Sequence, residues 1–312
     1  RGFRGSPVFT AVTLLTLAVA IGANAAIFSL VDSVLFRPLP VHNQEELVTV
    51  TRTDELREAR FNWSLPMARE QLASEDAVAG AAWYADWLQF TLAEPGSERV
   101  TLKAAVVSGG FFELMGVNPV EGRLLGESDD VQGTAPVAVI SFELWRSRFN
   151  SNPEIIGSTL QLNAQPVTVV GVAPPGFAGV SMTRKVDLWM PLATGGPMGM
   201  GGFDAKMLLE SVNFTWLDAV VRLASGVSLE QAKGLLEGRR IEGAEHAPLL
   251  QLHSAREYAM DRGSRGTASR LAWLLLGLVA VIIIVACTDA AGLMLVRAEA
   301  RRAGAAAGGA GE

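Results

Sequence analysis

The chain has 312 residues, 49% of them hydrophobic, with 26 basic and 32 acidic side chains and a mean hydropathy of +0.28. A formal charge of −6 argues against a basic nucleic-acid-binding face, and a single cysteine, Cys287, rules out an intramolecular disulfide. The apolar character is concentrated at the two ends. Between Arg37 and Arg270 stand about 28 acidic and about 21 basic residues, and that stretch reads as soluble and long enough for two small domains.

The first element in chain order is Val8 to Phe36, about 29 residues carrying one charge, Asp32. As a helix it would reach about 43 Å, against a hydrocarbon core of roughly 30 Å, so it is predicted to cross a membrane. Ser6-Pro7 supplies an N-cap and a first helical position. A signal peptide cleaved at Ala23-Asn24-Ala25 is the rival reading, but the apolar run continues well past Ala25. A second predicted span, Leu271 to Val296, closes the chain with one charge, Asp289. Arg1, Arg4, Arg297, Arg301 and Arg302 flank the outer ends of this pair, and Arg37, Arg262, Arg265 and Arg270 the inner ends. That near-balance leaves the orientation open.

Between the spans, Glu46 to Thr53 alternates as a strand, and Ser64 to Glu75 has a capping serine, an early proline and helical spacing. Ala77 to Trp87 and Leu88 to Leu92 are predicted to be extended. After the Glu94-Pro95-Gly96-Ser97 turn, Arg99 to Ser108 is a further strand. Near the end of the central stretch, Phe214 to Arg222 reads as a strand, Ser228 to Arg240 as a helix opened by a Ser228/Gln231 capping box, and Leu249 to Leu252 as a returning strand. Two β-α-β halves separated by an insertion predict a ferredoxin-like α+β body, because each open sheet face needs helices to cover it. The insertion, Glu113 to Gly202, is predicted to be mainly β. It holds a strand at Val137 to Ile140, a short helix Phe142 to Phe149 capped by Ser141, and a hairpin Thr159 to Val172 turning at Asn163-Ala164. Gly195 to Gly202, GGPMGMGG, is predicted to be a mobile loop. Met198 and Met200 within it lack the His or Cys partner that a copper site needs, so loop filler is the simpler reading.

Catalytic signatures are missing from the sequence. It contains no G-x-x-x-x-G-K-[ST] and therefore no P-loop of its own, no H-E-x-x-H, no paired-cysteine zinc spacing, and no G-x-S-x-G around Ser181. His246 and His253 are separated by Pro248, which keeps them off one continuous helix, and His42 stands far from both in sequence. The sequons at Asn62 and Asn213 read as chance matches. The tryptophans, among them Trp83, Trp87, Trp145, Trp189 and Trp216, could line a ligand groove, but most fall on predicted strands or helix faces, so core or subdomain packing is the expectation. Asp289 is the one charge with a functional claim. Within a span a carboxylate costs about 2.5–3.5 kcal/mol, so it faces a partner helix, a polar cavity or a snorkelling Arg297, the plainer alternative being a protonated or interface-seeking Asp in a decaying helix end. It is the candidate site residue, as an intramembrane helix contact.

Four stretches resemble, in order, the MacB/FtsX-type ABC transporter permeases, in particular the duplicated orphan permeases of bacteria. They are SPVFTAVTLLTLAVAIGANAAIFSLVDSVLFRPLP at the start, VSGGFFELMGVNPVEGR (Val107 to Arg123), VAVISFELWRSRFNSNPEIIGSTLQLNAQPVTVVGVAPPGF (Val137 to Phe177) and the final span. The resemblance implies an N-terminal segment with the first transmembrane helix (1–36), a Porter-like α+β subdomain (37–112 with 203–270), an inserted Sabre-like subdomain (113–202), a second transmembrane helix (271–296) and a cytoplasmic tail (297–312). It also implies a multi-pass protein of the bacterial inner membrane with its central domain in the periplasm. Such a protein would be non-enzymatic and hold no cofactor, and would couple ATP hydrolysis elsewhere to efflux or mechanotransmission. The implied partners are an ABC-type ATPase, the remaining permease helices or a second permease copy, a periplasmic adaptor and membrane lipid. Two departures stand out: Thr288-Asp289-Ala290-Ala291-Gly292 replaces the family's Ala/Asn-rich run, and the chain closes on RRAGAAAGGAGE where the family continues. A fragment is the expectation from these. The alternative is a two-span sensor with an extracytoplasmic ligand-binding domain.

Overall fold

Period-two alternation of apolar residues places two sets of side chains on opposite faces of one sheet. In β3 (Val78–Ala93), Ala82 and Tyr84 enter one apolar cluster, whereas Trp83 and Ala85 enter another on the opposite face. Further along, Leu88, Phe90 and Leu92 also join the second of these clusters, so the phase changes from odd to even residues. A β-bulge between Ala85 and Leu88 makes this possible: Ala85 pairs with Val106 and Leu88 with Ala104, leaving one extra residue on β3. Without it, the second half of the strand would turn its leucines to the wrong face.

The computed structural model describes residues 41–54, 59–72, 77–93, 96, 98–180, 184–237 and 249–255, with isolated helical positions between 18 and 25 and between 274 and 292. The chain divides into two units, Leu39–Arg262 and the two ends, Arg1–Pro38 with Gly263–Glu312. In the first unit, β1 (Leu47–Asp54), β3, β10 (Asp218–Leu223) and β11 (Leu249–Ser254) lie in the order β11-β1-β10-β3, every neighbouring pair antiparallel. It follows that β1 runs parallel to β3 with β10 between them, and β10 runs parallel to β11 with β1 between them. These are two interleaved split β-α-β units, closed by the helices α1 (Leu65–Leu72) and α6 (Leu229–Leu236). The predicted α+β body is therefore present. The Ser228/Gln231 capping box opens α6 as expected, whereas at α1 the carbonyl of Ser64 serves the first turn by accepting from the Ala68 N–H (2.9 Å).

Beyond β3 the sheet continues through β4 (Val100–Val107), β9 (Leu188–Pro191), β6 (Val137–Ile140), β8 (Gln165–Val172) and β5 (Glu121–Gly122). The parallel β4–β9 pairing carries it into the inserted part. β2 (Ala59–Phe61) pairs with β1, and β7 (Thr159–Leu162) forms the predicted hairpin with β8, turning at Asn163 and Ala164, both at positive φ. Ser141 caps α3 (Phe142–Arg148) through the Leu144 N–H. On one face α1, α6 and α4 (Leu192–Gly199) cover Val50, Phe90, Val106 and Val221; on the other, α2 (Phe111–Met115) covers Tyr84, Val107 and Val220. Arg52 is buried within the first of these faces beneath Met67 and beside the ring of Trp63, 5.3 Å away, and burial lowers its pKa to about 10.

Two expectations are corrected. GGPMGMGG is not a loop: Gly195 to Gly199 lie in α4, followed by the short α5 (Ala205–Glu210). Its glycines are there for close approach. A Cβ on Gly199 would lie 2.3 Å from Leu88 Cδ2 and 2.9 Å from Phe90 Cζ, and one on Gly195 2.6 Å from Met190 Cβ. Gly199→Ala therefore gains up to about 1 kcal/mol in helix propensity but loses about 1–3 kcal/mol to overpacking. A lowered urea midpoint is the expected net result, and a raised one would show that the helix can withdraw from β3.

The second correction concerns the two flanking spans, and with them the transmembrane fold class and the multi-pass placement in the inner membrane. Among the described residues no helix is long and apolar enough to cross a membrane. The physical reason is length: α1, α4 and α6 have 8 residues each, about 12 Å of rise against a hydrocarbon core of roughly 30 Å. Val8 to Phe36 and Leu271 to Val296 fall outside the described residues apart from isolated helical positions. What the structure carries is the α+β domain.

Candidate coupling junction

β1 and β11 bring the two ends of the domain together. Val48 pairs with Ser254, so the strand that opens the domain and the strand that closes it meet at one end of the sheet. Just before β1, the turn from Val41 to Glu46 is fastened to α2 by an arginine projecting from β10. Arg222 is directly opposite Leu47, and its neighbours Val221 and Leu223 face one core while it faces α2. Its guanidinium donates from Nε (3.1 Å) and Nη2 (2.6 Å) to the Leu114 carbonyl, from Nη2 to the His42 carbonyl (2.9 Å), and from Nη1 to the Asn43 carbonyl (3.3 Å) and Glu46 Oε2 (3.0 Å). One planar guanidinium fork thus holds three backbone carbonyls and a carboxylate. The side chain is only 16% exposed.

Backbone contacts reinforce this fastening. The His42 N–H donates to the Met115 carbonyl (3.1 Å), and Asn43, at φ 44°, turns the chain so that its side chain meets Glu46. Gly116 ends α2 in the left-handed conformation, with φ 65°, and its N–H returns to Phe112 and Glu113. A Cβ there would lie 2.6 Å from His42 Cβ, so the glycine meets both a conformational and a packing requirement.

The other end of α2 is tied to the inserted part. Asp130 accepts from the Gly109 N–H (3.2 Å), just before α2, and from the Ala193 N–H (2.7 Å), in the first turn of α4. Beside it Arg123 grips Asp129 with two bonds of 2.6 and 2.8 Å. That ion pair, mainly through its hydrogen bonds, lowers the Asp129 pKa and raises that of Arg123. Burial raises the Asp130 pKa against the two backbone N–H bonds. The signs differ. Asp129 contributes stability that is present above its ordinary pKa, near 4, and is lost as the pH falls through its lowered value. Asp130 contributes stability that is greatest below its ordinary pKa and is lost as the pH rises through its raised one. Asp130→Asn should therefore flatten the stability–pH curve above pH 4, and Asp129→Asn should remove part of the acid-side loss; thermal melts from pH 3 to 8 check both.

Candidates read from the sequence fall elsewhere. Asp289 and His246 lie outside the described residues. His253 is on β11, 3.2 Å from Thr51 Oγ1, and among the described residues no group of three or more His, Cys, Asp or Glu could hold a metal ion. Met198 and Met200 pack against the core. Trp83, Trp145, Trp189 and Trp216 are buried as expected, whereas Trp87 is 44% exposed. Arg222 was missed, although an arginine inside the otherwise apolar strand DAVVRL is a signal that the sequence does carry.

Two interleaved split β-α-β units on a sheet that continues through β4, β9, β6, β8 and β5, with a fastened junction where both ends of the domain meet, define an α+β module. The profile of the MacB-like periplasmic core domain matches residues 10–239, and the chain belongs to that family. The macrolide export ATP-binding/permease protein MacB of Burkholderia thailandensis is 27% identical over 172 residues, 52% of this chain and 26% of that protein. Its counterpart in Salmonella paratyphi A is 26% identical over 139 residues, 44% of this chain and 19% of that protein. The chain thus spans about a quarter or less of these relatives. A crystal structure of a domain of a protein assigned as a permease, from Porphyromonas gingivalis, covers 69% of this chain and 92% of its own, with 17% identity and a TM-score of 0.50, which shows a shared fold.

Proposed function

We propose that this domain is the moving outer part of a MacB-like export system, displaced by ATP hydrolysis in an ABC-type ATPase to which it is joined only indirectly. The single observation that carries the reading is the junction: both ends of the domain meet at Val48 and Ser254. Loads applied at those ends would peel two antiparallel neighbours apart, bond by bond. Arg222 and the His42–Met115 bond oppose that by passing the load at the start of β1 to α2. From α2 it reaches the inserted part through Asp130. The division into 37–112 with 203–270 and an inserted 113–202 belongs to this proposal, as do a second permease copy and a periplasmic adaptor as partners.

Affinity capture of the full chain from the cells that encode it, with and without ATP, tests the reading. Recovery of an ABC-type ATPase whose association changes with nucleotide is expected, and capture that yields no such ATPase under either condition rejects it. In the same system Arg222→Lys should support assembly but lower nucleotide-dependent export, because the three donors of one ammonium cannot reproduce the five bonds of the guanidinium fork.

A further inference from the structure

The bulge in β3 has a second effect, independent of the junction. It leaves Asp86 and Trp87 as the residues at which the strand changes phase, with Asp86 buried and Trp87 turned outward beside Gln89 on the uncovered part of the sheet. Gln89 pairs across the strands with Lys103, and β9 begins next to Lys103, so the segment before β9 brings Arg184 and Lys185 to the same place. Trp87, Gln89, Lys103, Arg184 and Lys185, with Asp86 and Leu88, line one cavity of about 240 Å³.

The charges there do not balance. Arg184 pairs with Asp86 (3.0 Å) and Lys185 with Asp187 (3.1 Å). Asp187 is further occupied by the Lys103 backbone N–H (2.9 Å), while the Lys103 ammonium has no ion pair among the described residues. Among the described residues, three cations therefore face the two carboxylates of Asp86 and Asp187. The indole ring is available as well: Arg52 stands over Trp63, but among the described residues no cation covers Trp87. A half-exposed indole beside an unmatched positive charge fits a planar apolar group that carries one negative charge. The volume lies just below the range for drug-sized ligands, which limits the occupant to about two fused rings.

We propose that this cavity binds a small amphipathic monoanion, its ring on Trp87 and its acid group between Lys103 and Lys185. Bulges are common beside binding sites because the extra residue re-aims a side chain, and here that side chain is the ring platform.

The full chain is titrated by calorimetry with naphthalene-2-sulfonate, with naphthalene-2-methanol as the uncharged ring and with methanesulfonate as the anion without a ring. Saturable binding of the first, at least tenfold tighter than either of the others, is expected. Trp87→Ala and Lys103→Ala should each weaken it at least tenfold, and Trp87→Phe and Lys103→Arg should restore most of it. Both residues are surface-facing, so unchanged thermal melts will show that the variants fold. Equal binding of the uncharged ring, equal binding by Trp87→Ala, or no saturation with naphthalene-2-sulfonate up to millimolar concentrations would each overturn the assignment. None of these outcomes bears on ATPase capture, so the two readings fail separately.

Discussion

Replacing Arg222 by methionine is expected to lower the stability of the domain by about 3 kcal/mol, because it keeps the aliphatic stem while removing the guanidinium donors from the Leu114, His42 and Asn43 carbonyls and from Glu46 Oε2. Glu46 is itself only 30% exposed, so water replaces the lost bonds poorly. Equilibrium unfolding of the full chain measures the loss. Hydrogen exchange localises it, with the amides of His42 and Gly116 exchanging faster while those of β6 and β8 keep their protection. A variant as stable as the parent, with unchanged exchange at His42, would mean that the turn is held by the β1–β11 pairing and not by Arg222.

The larger effect is expected at Trp189. This side chain is fully buried on β9, with Phe112 of α2 5.9 Å away edge-on and Phe177 5.3 Å away, centroid to centroid. Phe112 in turn meets Phe111 and Phe177, so the rings form one cluster that joins α2 to the inserted strands. Trp189→Ala removes the largest member and should destabilise by about 3–5 kcal/mol, through lost burial and a cavity that the sheet cannot close. Trp189→Phe should restore most of that loss. A denaturation midpoint for the alanine variant within error of the parent's would show that the cluster does not hold the two parts together.

The elements marked by chemistry local to a few residues were legible in the sequence. Ser228 and Gln231 announce α6, Ser141 announces α3, and Asn163-Ala164 announces the β7–β8 turn, since caps and left-handed turns depend on side chains within three or four positions. Elements that depend on distant partners were not. The helix α4 contains three glycines and a proline, and no local preference favours it; it forms because Gly195, Gly196 and Gly199 let it approach Met190, Trp216 and Leu88. For α2, five residues bounded by Gly110 and Gly116, the residues were on view, but its role waited on Arg222, more than a hundred positions away. The spans failed differently: an apolar run fixes a hydropathy pattern, and crossing a membrane requires a continuous helix of sufficient length, which none of the described residues form.

By itself, the order of polar and apolar residues determined that Glu46 to Leu252 folds as α+β with a strand-helix-strand unit at each end, because burial of alternating side chains is a property of each segment alone. Only the tertiary structure decided that those units interleave, that the bulge at Asp86-Trp87 re-phases β3, and that a single guanidinium on β10 joins the start of the domain to α2. Those features exist only when strands far apart in the chain become neighbours, and no segment encodes its neighbour's register.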